Sequence, residues 1–471
     1  MTERQLPASA LPAGRVRYGV LAFACTLSMV TYLDRVAVAS AAGDIVKALG
    51  LKSVADIKWA FTAFALAYAL FEVPTGWMGD TFGPRKSLLR IVLWWSVFTL
   101  LTAAVGLQFG PVTAGLGFLV VVRFLFGIGE AGAYPNIGRA LHNWLPLDER
   151  GLGQGLVWFS GKFMAGITPF LWTVLVVGTG LTPPLLGWRA AFCVFAILGV
   201  LWSLLFGWWF RDTPDEHPAV NEAELALIRR GADGAGEHSH RGVPWGAILA
   251  NRTFLALCLM YAAQGYGWWF HITYLPQFLE HHYGMPNSSL LGALYKGGPL
   301  WMGAIGSLLG GLITDRIVRR TGNLRLGRRF CGFVGHAICV VCFLACVFAP
   351  NAFLFFLAVS LAAFFTDLSV PSAWATCQDI GGRFSAVVGA FMNMAAGISG
   401  AIAGAVTGLV LERSVAQRAI ELGVAAADLT AEQTTAAMLR GYHWNFYLFA
   451  ALYAVAFLCW FRIDPTKKIS P

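Results

Sequence analysis

Asp34 and Arg35 are neighbours inside the first long apolar segment of the chain, in the run Y-L-D-R. A charged side chain at the centre of a membrane helix costs about 2.5 to 3.5 kcal/mol, so two adjacent ones indicate a specific role. On an α-helix they project about 100° apart, so both can face a helix bundle without meeting at one point. A route for a substrate or a proton is one interpretation, and a self-neutralising structural pair is the other.

Arg123 and Glu130 are a second pair of charges, seven residues apart in another apolar segment. Two helical turns bring them to nearly one face, about 20° out of register, where they could form, break or reshape a charged contact. A movement that separates the carboxyl from a cation favours its protonation, which gives a physical route to proton coupling. The alternative interpretation is a permanent buried salt bridge.

Four further charged residues lie within apolar segments: Glu72, Lys162, Lys296 and Asp367. Lys296 either lines a cavity or extends its ammonium group to the outer interface. Glu72 and Asp367 are either coupling sites or structural groups at the edge of a cavity, and we expect the structural role.

The composition indicates what kind of structure must hold these charges. With 57% hydrophobic and 13% charged residues over 471 positions, and a mean hydropathy of +0.63, the chain is typical of a polytopic membrane protein. Its net charge of +9 comes from basic residues in short loops, which a lipid bilayer explains better than a nucleic-acid partner does. No motif groups a nucleophile, a base and metal ligands, so we expect no enzymatic activity, no metal and no organic cofactor.

Apolar runs of about 20 residues, the length that crosses a bilayer, predict twelve transmembrane helices. They lie near 17–40, 58–80, 87–107, 112–137, 152–177 and 186–210, and then near 253–279, 289–314, 329–349, 353–376, 384–411 and 443–462. The predicted fold class is therefore an all-α polytopic membrane protein built from two six-helix halves.

Polar segments divide these spans into regions. We predict a cytoplasmic N-terminal tail over 1–16, a six-helix half over 17–210, a cytoplasmic linker over 211–252, a second six-helix half over 253–462, and a cytoplasmic tail over 463–471. A short amphipathic helix is expected in the linker, around 221–230.

The basic residues predict the orientation of the chain. With both termini placed in the cytoplasm, 23 Lys and Arg residues lie on that side and 7 on the other, and four lie in the membrane. Because cytoplasmic loops carry the excess of basic residues, both termini are expected to be cytoplasmic. We expect a multi-pass cell-membrane protein, in a bacterial inner membrane, that functions as a monomer.

Each half carries a related motif after its second span. The first is G-W-M-G-D-T-F-G-P-R-K, over 76–86, and the second is G-G-L-I-T-D-R-I-V-R-R-T-G, over 310–322. Glycines allow tight helix contact, and the Asp at a cytoplasmic helix end can bind a neighbouring helix end or the basic turn. The predicted cytoplasmic gate residues are Gly76, Asp80, Gly83, Arg85, Asp315 and Arg316.

The doubled motif, the twelve spans and the linker resemble the major facilitator superfamily over essentially the whole chain. Within that superfamily, four stretches resemble the anion:cation symporter family, which includes bacterial sugar-acid permeases and sialin-type organic anion carriers. They are Y-L-D-R at 32–35, R-F-L-F-G-I-G-E-A-G-A-Y-P at 123–135, W-F-R-D-T-P-D-E-H-P at 209–218, and W-A-T-C-Q-D-I-G-G-R-F at 374–384.

The resemblance implies roles for individual residues. Asp34 and Glu130 match the family's proton-carrying carboxylates, and Arg123 matches an arginine that modulates the glutamate. Arg35 is the predicted ligand of the substrate carboxylate, because its guanidinium is always charged and forms a fork that fits a carboxylate. The other implied cavity residues are Tyr32, Tyr68, Ser372, Trp374 and Asn393. The tyrosines could instead be core or interface residues, and Asn393 could instead bond helix to helix.

Lys162 departs from the family pattern, because sugar-acid permeases carry an uncharged glutamine at this position. A second cation near Arg35 suits a second negative group, so we predict a dicarboxylate, or an aromatic or sugar-derived acid with an extra anionic group. The alternative is that Lys162 neutralises Glu130 or Asp34.

Together these features predict a secondary transporter that imports an organic anion, a sugar acid or another mono- or dicarboxylate, with protons. Alternating access about a midplane site would move both ligands, and the proton gradient would supply the energy. An organic-anion antiporter or uniporter is one alternative. A membrane sensor that binds its ligand without moving it is the other.

Overall fold

The computed structural model describes residues 12–178, 183–230, 242–285 and 290–469. The protein is 83% helical, which confirms the predicted all-α class. Parts of the predicted tails and linker, over 1–11, 231–241 and 470–471, lie outside the described residues.

Each of the twelve predicted spans overlaps a long helix of the described residues. The α-helices are α1 (Val16–Ser40), α2 (Ala42–Ala48), α3 (Lys58–Phe82), α4 (Pro84–Thr102), α5 (Leu116–Glu130), α6 (Ala133–Trp144), α7 (Arg150–Trp172), α8 (Trp188–Trp209), α9 (Glu222–Arg229), α10 (Trp245–Ala250), α11 (Arg252–Thr273), α12 (Leu275–Tyr283), α13 (Leu290–Thr321), α14 (Leu324–Val347), α15 (Ala352–Gly381), α16 (Ser385–Leu422) and α17 (Ala431–Cys459). A small hairpin pairs β1 (Gln108–Phe109) with β2 (Val112–Thr113). Helix α9 confirms the short linker helix.

The fourth predicted span differs from the structure, because it is two helices and not one. α5 ends at Glu130, Ala131 is extended with ψ 136°, and Gly132 has φ +80° and ψ 3°. Only glycine adopts that backbone conformation without strain. The break lies among buried residues, where irregular backbone is tolerated at membrane depth. It places Glu130 at a helix end.

The last span also differs, because α17 begins well before the apolar run. Thr430 and Gln433 form a capping box, in which each side chain accepts a hydrogen bond from the other's backbone amide. Such a box fixes a helix start independently of hydrophobicity. The predicted start near 443 is therefore wrong by about three helical turns.

The residues divide into two compact units. Unit 1 comprises Met1–Ile248, Trp374–Met394 and Thr466–Pro471, and unit 2 comprises Leu249–Ala373 and Ala395–Pro465. In unit 1, α1 packs along α7, α3 along α5, and α4 against α5 and α8; in unit 2, α17 packs against α11 and α14. The predicted division at the linker into two equal halves stays a prediction.

Candidate functional site

Most of the predicted proton and substrate residues lie in unit 1, on six helices. α1 supplies Tyr32, Asp34 and Arg35, α3 supplies Tyr68, α5 supplies Arg123 and Glu130, α7 supplies Lys162, α15 supplies Trp374, and α16 supplies Asn393. Gly127 lets α5 approach α3, because a Cβ there would lie 2.6 Å from the Phe64 carbonyl oxygen. Such glycines allow backbones to pack closely in membrane proteins.

An ion pair between α1 and the end of α5 is the central contact. Arg35 Nε donates to Glu130 Oε1 over 2.6 Å, and the Glu130 side chain is fully buried. Within the described part of the chain, Arg35 Nη2 and Glu130 Oε2 have no hydrogen-bond partner. Because a buried ion pair depends on both charges, neutralising Glu130 would change how Arg35 is held.

Arg123 shares α5 with Glu130, but its guanidinium faces aromatic rings. Its Cζ lies 4.6 Å from the centroid of Phe64 and 4.5 Å from that of Phe126, which is cation–π distance. Among the described residues Arg123 makes no ion pair, and its Nε has no hydrogen-bond partner. The alternative of a permanent Arg123–Glu130 salt bridge is therefore not formed. A modulating role for Arg123 stays a prediction.

Asp34 is isolated from its neighbour Arg35, as helix geometry predicts. It is 2% exposed, and neither of its carboxylate oxygens has a hydrogen-bond partner among the residues that the structure describes. The self-neutralising pair is therefore not made, since Arg35 turns to Glu130. A buried, unpartnered carboxylate is costly, which is typical of intramembrane residues that have a functional role.

Aromatic rings surround the Arg35 guanidinium. Its Cζ lies 4.6 Å from the ring centroid of Tyr68 and 5.7 Å from those of Tyr32 and Phe64. These contacts orient the guanidinium without using its donors. The structure therefore places both predicted tyrosines beside the predicted carboxylate ligand.

Asn393 lies on the first turns of α16 and binds α3. Its Nδ2 donates to Glu72 Oε1 and lies 3.4 Å from the Tyr68 hydroxyl. Tyr68 thus connects Asn393 with the Arg35 guanidinium. Glu72, which the sequence left open as a coupling site or a structural group at the edge of a cavity, is part of this cluster.

Lys162 lies in an aromatic row that begins at Tyr32. The Tyr32 ring is 6.4 Å from Tyr134, which stacks at 4.4 Å on Trp158, and Lys162 Nζ is 5.7 Å from the Trp158 ring. Trp374 adjoins the row, 5.8 Å from Trp158. The neutralising alternative for Lys162 is not made, because Glu130 is held by Arg35 and Asp34 forms no ion pair among the described residues.

Two predicted site residues, Ser372 and Lys296, lie in unit 2. Ser372 is fully buried, and its hydroxyl is 2.5 Å from that of Thr314. Lys296 is half-buried on α13. Asp367, on α15, is 3% exposed. The substrate roles of Ser372 and Lys296 stay predictions.

The first gate motif binds the start of α16. Asp80 accepts hydrogen bonds from the backbone amides of Ala386, over 3.1 Å, and Val387, over 2.8 Å. A carboxylate is favoured at a helix N-terminus because amides and the helix dipole converge there. Arg139 stands 3.8 Å from Asp80 and donates to the Gly382 carbonyl.

Other motif residues support that contact. Gly76 lets α16 approach, since a Cβ there would lie 2.9 Å from the Ala386 carbonyl oxygen. Gly83 has φ +88° and ends α3, and the Arg85 amide that follows donates to Asp212 over 2.8 Å. The polar turn thus joins α4 to the segment after α8.

The second gate motif, in unit 2, forms a buried ion pair. Asp315 Oδ1 accepts from Arg328 Nη1 over 2.9 Å, and both side chains are at most 1% exposed. Arg316 beside it is exposed. Of the two expected partners for an Asp in this motif, the end of a neighbouring helix provides this one, because Arg328 lies near the start of α14.

Unit 2 also contains a buried polar network. Trp460 Nε1 donates to His336 Nδ1 over 3.0 Å, and His336 Nε2 lies 3.3 Å from Gln264 Oε1, which also accepts from Ser369. An indole N–H can only donate, so Nδ1 accepts from Trp460, and the same nitrogen also lies 2.9 Å from the Gly332 carbonyl oxygen. The Tyr453 hydroxyl donates to the Gln264 carbonyl.

The model of the Major Facilitator Superfamily matches residues 24–404, which is most of the chain. The chain belongs to the Major Facilitator Superfamily. This confirms the superfamily expected from the doubled motif. The protein is a multi-pass membrane transporter and not an enzyme.

The transporter has relatives that are named for organic anions. It is 34% identical over 405 residues to the probable sulfoacetate transporter SauU of Cupriavidus necator, covering 85% of this chain and 88% of the relative. It is 28% identical over 385 residues to the probable galactarate/D-glucarate transporter GudP of Bacillus subtilis, covering 79% and 81%. These relatives agree with the organic-anion family indicated by the four motifs.

Solved structures show the same fold. The fucose:proton symporter FucP of Escherichia coli aligns with a TM-score of 0.65 at 15% identity, covering 96% of this chain and 100% of that one. The human organic anion transporter MFSD10 aligns with a TM-score of 0.63 at 13% identity, covering 95% and 100%. The twelve-helix fold predicted for the transporter is therefore confirmed.

Sequence reasoning missed several residues of the transporter. Tyr134 and Trp158 build the row between the two cations, and the four-residue spacing from Trp158 to Lys162 was a usable signal. Arg150 binds Asp379 over 2.9 Å beside the Asp80 contact. Asp379 lies in the W-A-T-C-Q-D motif, whose position was recognised without a role for its carboxylate.

Proposed function

We propose that this transporter imports an organic anion together with protons by alternating access. The observation that carries the proposal is the 2.6 Å pair between Arg35 and Glu130, beside the unpartnered carboxylate of Asp34. The guanidinium of Arg35 has the shape that fits a carboxylate best, and in this structure it binds the carboxylate of Glu130.

Competition for Arg35 explains how anion and proton would be coupled. While Glu130 is ionised it holds Arg35 Nε, and its charge opposes a second anion. Protonation of Glu130 removes that charge, so the guanidinium can bind the substrate carboxylate with Nε and with Nη2. Asp34, one position away on α1, provides a second proton site. Release of both ligands inside lets Glu130 return to Arg35.

The substrate class that we propose is a compact organic anion with two negative groups. Lys162, at the other end of the aromatic row from Arg35, supplies the second cation. The relatives named for sulfoacetate and galactarate support this class, because each of those compounds has two acidic groups. In a Lys162→Gln variant we expect uptake of succinate to fall and uptake of propionate to persist. A proportional loss of both argues against a second-anion role.

The proposal also covers the orientation, the energy source and the gate of the transporter. Both termini face the cytoplasm of a bacterial inner membrane, as the basic loops predict. The transporter works as a monomer, its energy comes from the proton gradient, and the contact of Asp80 with α16 acts as part of a cytoplasmic gate.

Uptake into proteoliposomes tests this function. With an acidic exterior, we expect wild type to accumulate sulfoacetate, succinate or galactarate above the outside concentration. Glu130→Gln should exchange the same compound but not accumulate it. The matched control is Glu222→Gln, on the exposed start of α9, which should behave as wild type.

Each alternative predicts a different result in the same assay. Undiminished accumulation by Glu130→Gln would remove Glu130 from the coupling mechanism. Exchange without accumulation in wild type identifies an antiporter or uniporter. Ligand-induced thermal stabilisation without any exchange identifies a sensor.

A further inference from the structure

Glu72 is a buried carboxylate that the proposed cycle does not use. It lies on α3 and is 1% exposed. Its Oε1 accepts a hydrogen bond from Asn393 Nδ2, and its Oε2 has no hydrogen-bond partner among the described residues. Glu72 therefore binds the side-chain amide of Asn393, which the family resemblance assigns to substrate binding. In the same way, Glu130 binds the guanidinium of Arg35, the predicted ligand of the substrate carboxylate.

Glu72 also belongs to a stripe of α3 that holds the first turns of α16, over 385–394. The members of the stripe, spaced four residues apart, are Tyr68, Glu72, Gly76 and Asp80. Such spacing places side chains along one side of a helix. The first two members meet Asn393, and the last two contact the beginning of α16. The stripe therefore connects the anion site with the predicted cytoplasmic gate.

A purely structural bond between α3 and α16 would not need a charge. A glutamine at position 72 could accept from Asn393 equally well. A buried carboxylate with one unpartnered oxygen is costlier than an amide. A carboxylate at position 72 therefore indicates a role in which the charge of Glu72 changes.

We propose that Glu72 is a positioning residue that holds Asn393 while the anion site is empty and releases it when Glu72 takes up a proton. This inference rests on the proposed function, because it needs Asn393 to contact the substrate. An ionised Glu72 accepts the amide strongly and repels an incoming anion, whereas a protonated Glu72 keeps only the weaker carbonyl acceptor of a carboxylic acid and does not repel the anion. Release of Asn393 loosens segment 385–394 from α3, which links occupancy of the site to the Asp80 contact.

The charges that face Glu72 make anion binding and proton uptake favour each other. Arg35 of α1, whose Cζ lies 4.6 Å from the Tyr68 ring, attracts an ionised Glu72, the Glu130 carboxylate of α5 repels it, and Asn393 donates to it. When an anion binds Arg35, it cancels the attraction that Glu72 feels. Each ligand then strengthens the binding of the other by the same factor.

A first experiment needs no substrate. Hydrogen–deuterium exchange of residues 385–394 is measured at pH 9 and pH 5.5 and corrected for the intrinsic rate. In wild type we expect faster exchange at the lower pH, because protonated Glu72 releases Asn393. Glu72→Gln, which keeps the acceptor, should stay slow at both values, and Glu72→Leu should be fast at both. Peptides from α14 serve as an internal control.

The same exchange data can overturn the inference. If Glu72→Gln retains the pH dependence of wild type, or if wild type shows none, Glu72 is a fixed structural contact. A Glu72→Leu variant that unfolds is recognised by fast exchange in α14, and the comparison of wild type with Glu72→Gln then decides alone.

A second experiment measures protons linked to binding, with sulfoacetate and succinate as probes. Each proton taken up on binding changes the affinity by about tenfold per pH unit. We expect the slope of log Kd against pH to be smaller by about one in Glu72→Gln, and Glu222→Gln to match wild type. An unchanged slope contradicts the inference.

The two proposals fail in different ways. If wild type accumulates neither probe, the proposed function fails, whatever the exchange data show. If wild type accumulates a probe and Glu72→Gln keeps both the exchange profile and the slope of wild type, only the role of Glu72 fails.

Discussion

The buried cluster around Arg35 and Glu130 in unit 1 is charged, whereas the network around His336 in unit 2 is neutral. In unit 1, Arg35 and Glu130 pair while one atom of each, and both oxygens of Asp34, have no partner among the described residues. In unit 2, both ring nitrogens of His336 have partners, and Gln264 accepts at its side chain and its backbone.

The difference separates groups that can change their charge from groups that hold a shape. A fully satisfied neutral network rigidifies helix packing and gains nothing from exchanging a proton. A charged cluster with free donors and acceptors can accept a proton or an anion at little structural cost, because those atoms have no protein bond to break. We therefore expect unit 1 to control coupling and the His336 network to control stability.

The largest effect is expected from removing Arg35. An Arg35→Leu variant leaves Glu130 buried without its partner, so the free energy of unfolding should fall by about 3 to 5 kcal/mol. Uptake should be lost, because the anion has no guanidinium to bind. Thermal unfolding in detergent and uptake into proteoliposomes measure the two effects.

Arg35→Lys is the matched control for that change. It keeps the positive charge, so most of the stability should remain, but it lacks the fork and should still reduce uptake. Wild-type uptake by Arg35→Lys would mean that a point charge is sufficient at this position.

A smaller effect is expected from His336→Phe in unit 2. The change removes the acceptor for Trp460 and the donor for Gln264, so stability should fall by about 1 to 3 kcal/mol. Proton-driven accumulation per folded molecule should not change. If accumulation by His336→Phe depended differently on the pH gradient, the His336 network would take part in coupling and would not serve stability alone.

The smallest effect on stability is expected from Asp34→Asn. Its oxygens have no hydrogen-bond partner among the described residues, and an amide is cheaper to bury than an ionised carboxylate. The free energy of unfolding should therefore change by less than about 1 kcal/mol, or rise. Accumulation should nevertheless fall while exchange continues. A greater loss of stability than in His336→Phe would show that Asp34 is a structural group.

The fold could be predicted from the sequence because a bilayer demands long apolar helices, and apolar length is a local property. The predicted helix boundaries were wrong where features other than hydropathy start or end a helix. The capping box of Thr430 started α17 outside the apolar run, and Gly132 broke the fourth span where buried backbone can be irregular. Neither feature alters hydropathy, so a search for apolar runs passes over both.

The sequence predicted most residues of the candidate site but few of the contacts between them. The charges at Asp34, Arg35 and Glu130 were conspicuous because each is costly in an apolar helix. Their pairing was not predictable, since Arg123 shares a helix face with Glu130 whereas Arg35 lies on another helix, and sequence alone does not say how the two helices pack. In the structure Glu130 pairs with Arg35, and the guanidinium of Arg123 packs on the rings of Phe64 and Phe126.

The sequence by itself determined the membrane class, the twelve helices, the superfamily and the charged residues that make an organic anion the proposed substrate. Only the tertiary structure decided which carboxylate holds Arg35, that Asp34 has no partner among the described residues, and that Glu72 holds Asn393. The physical reason is distance along the chain. Helix formation and hydropathy act between near neighbours, whereas these pairs join helices that meet only when the bundle packs.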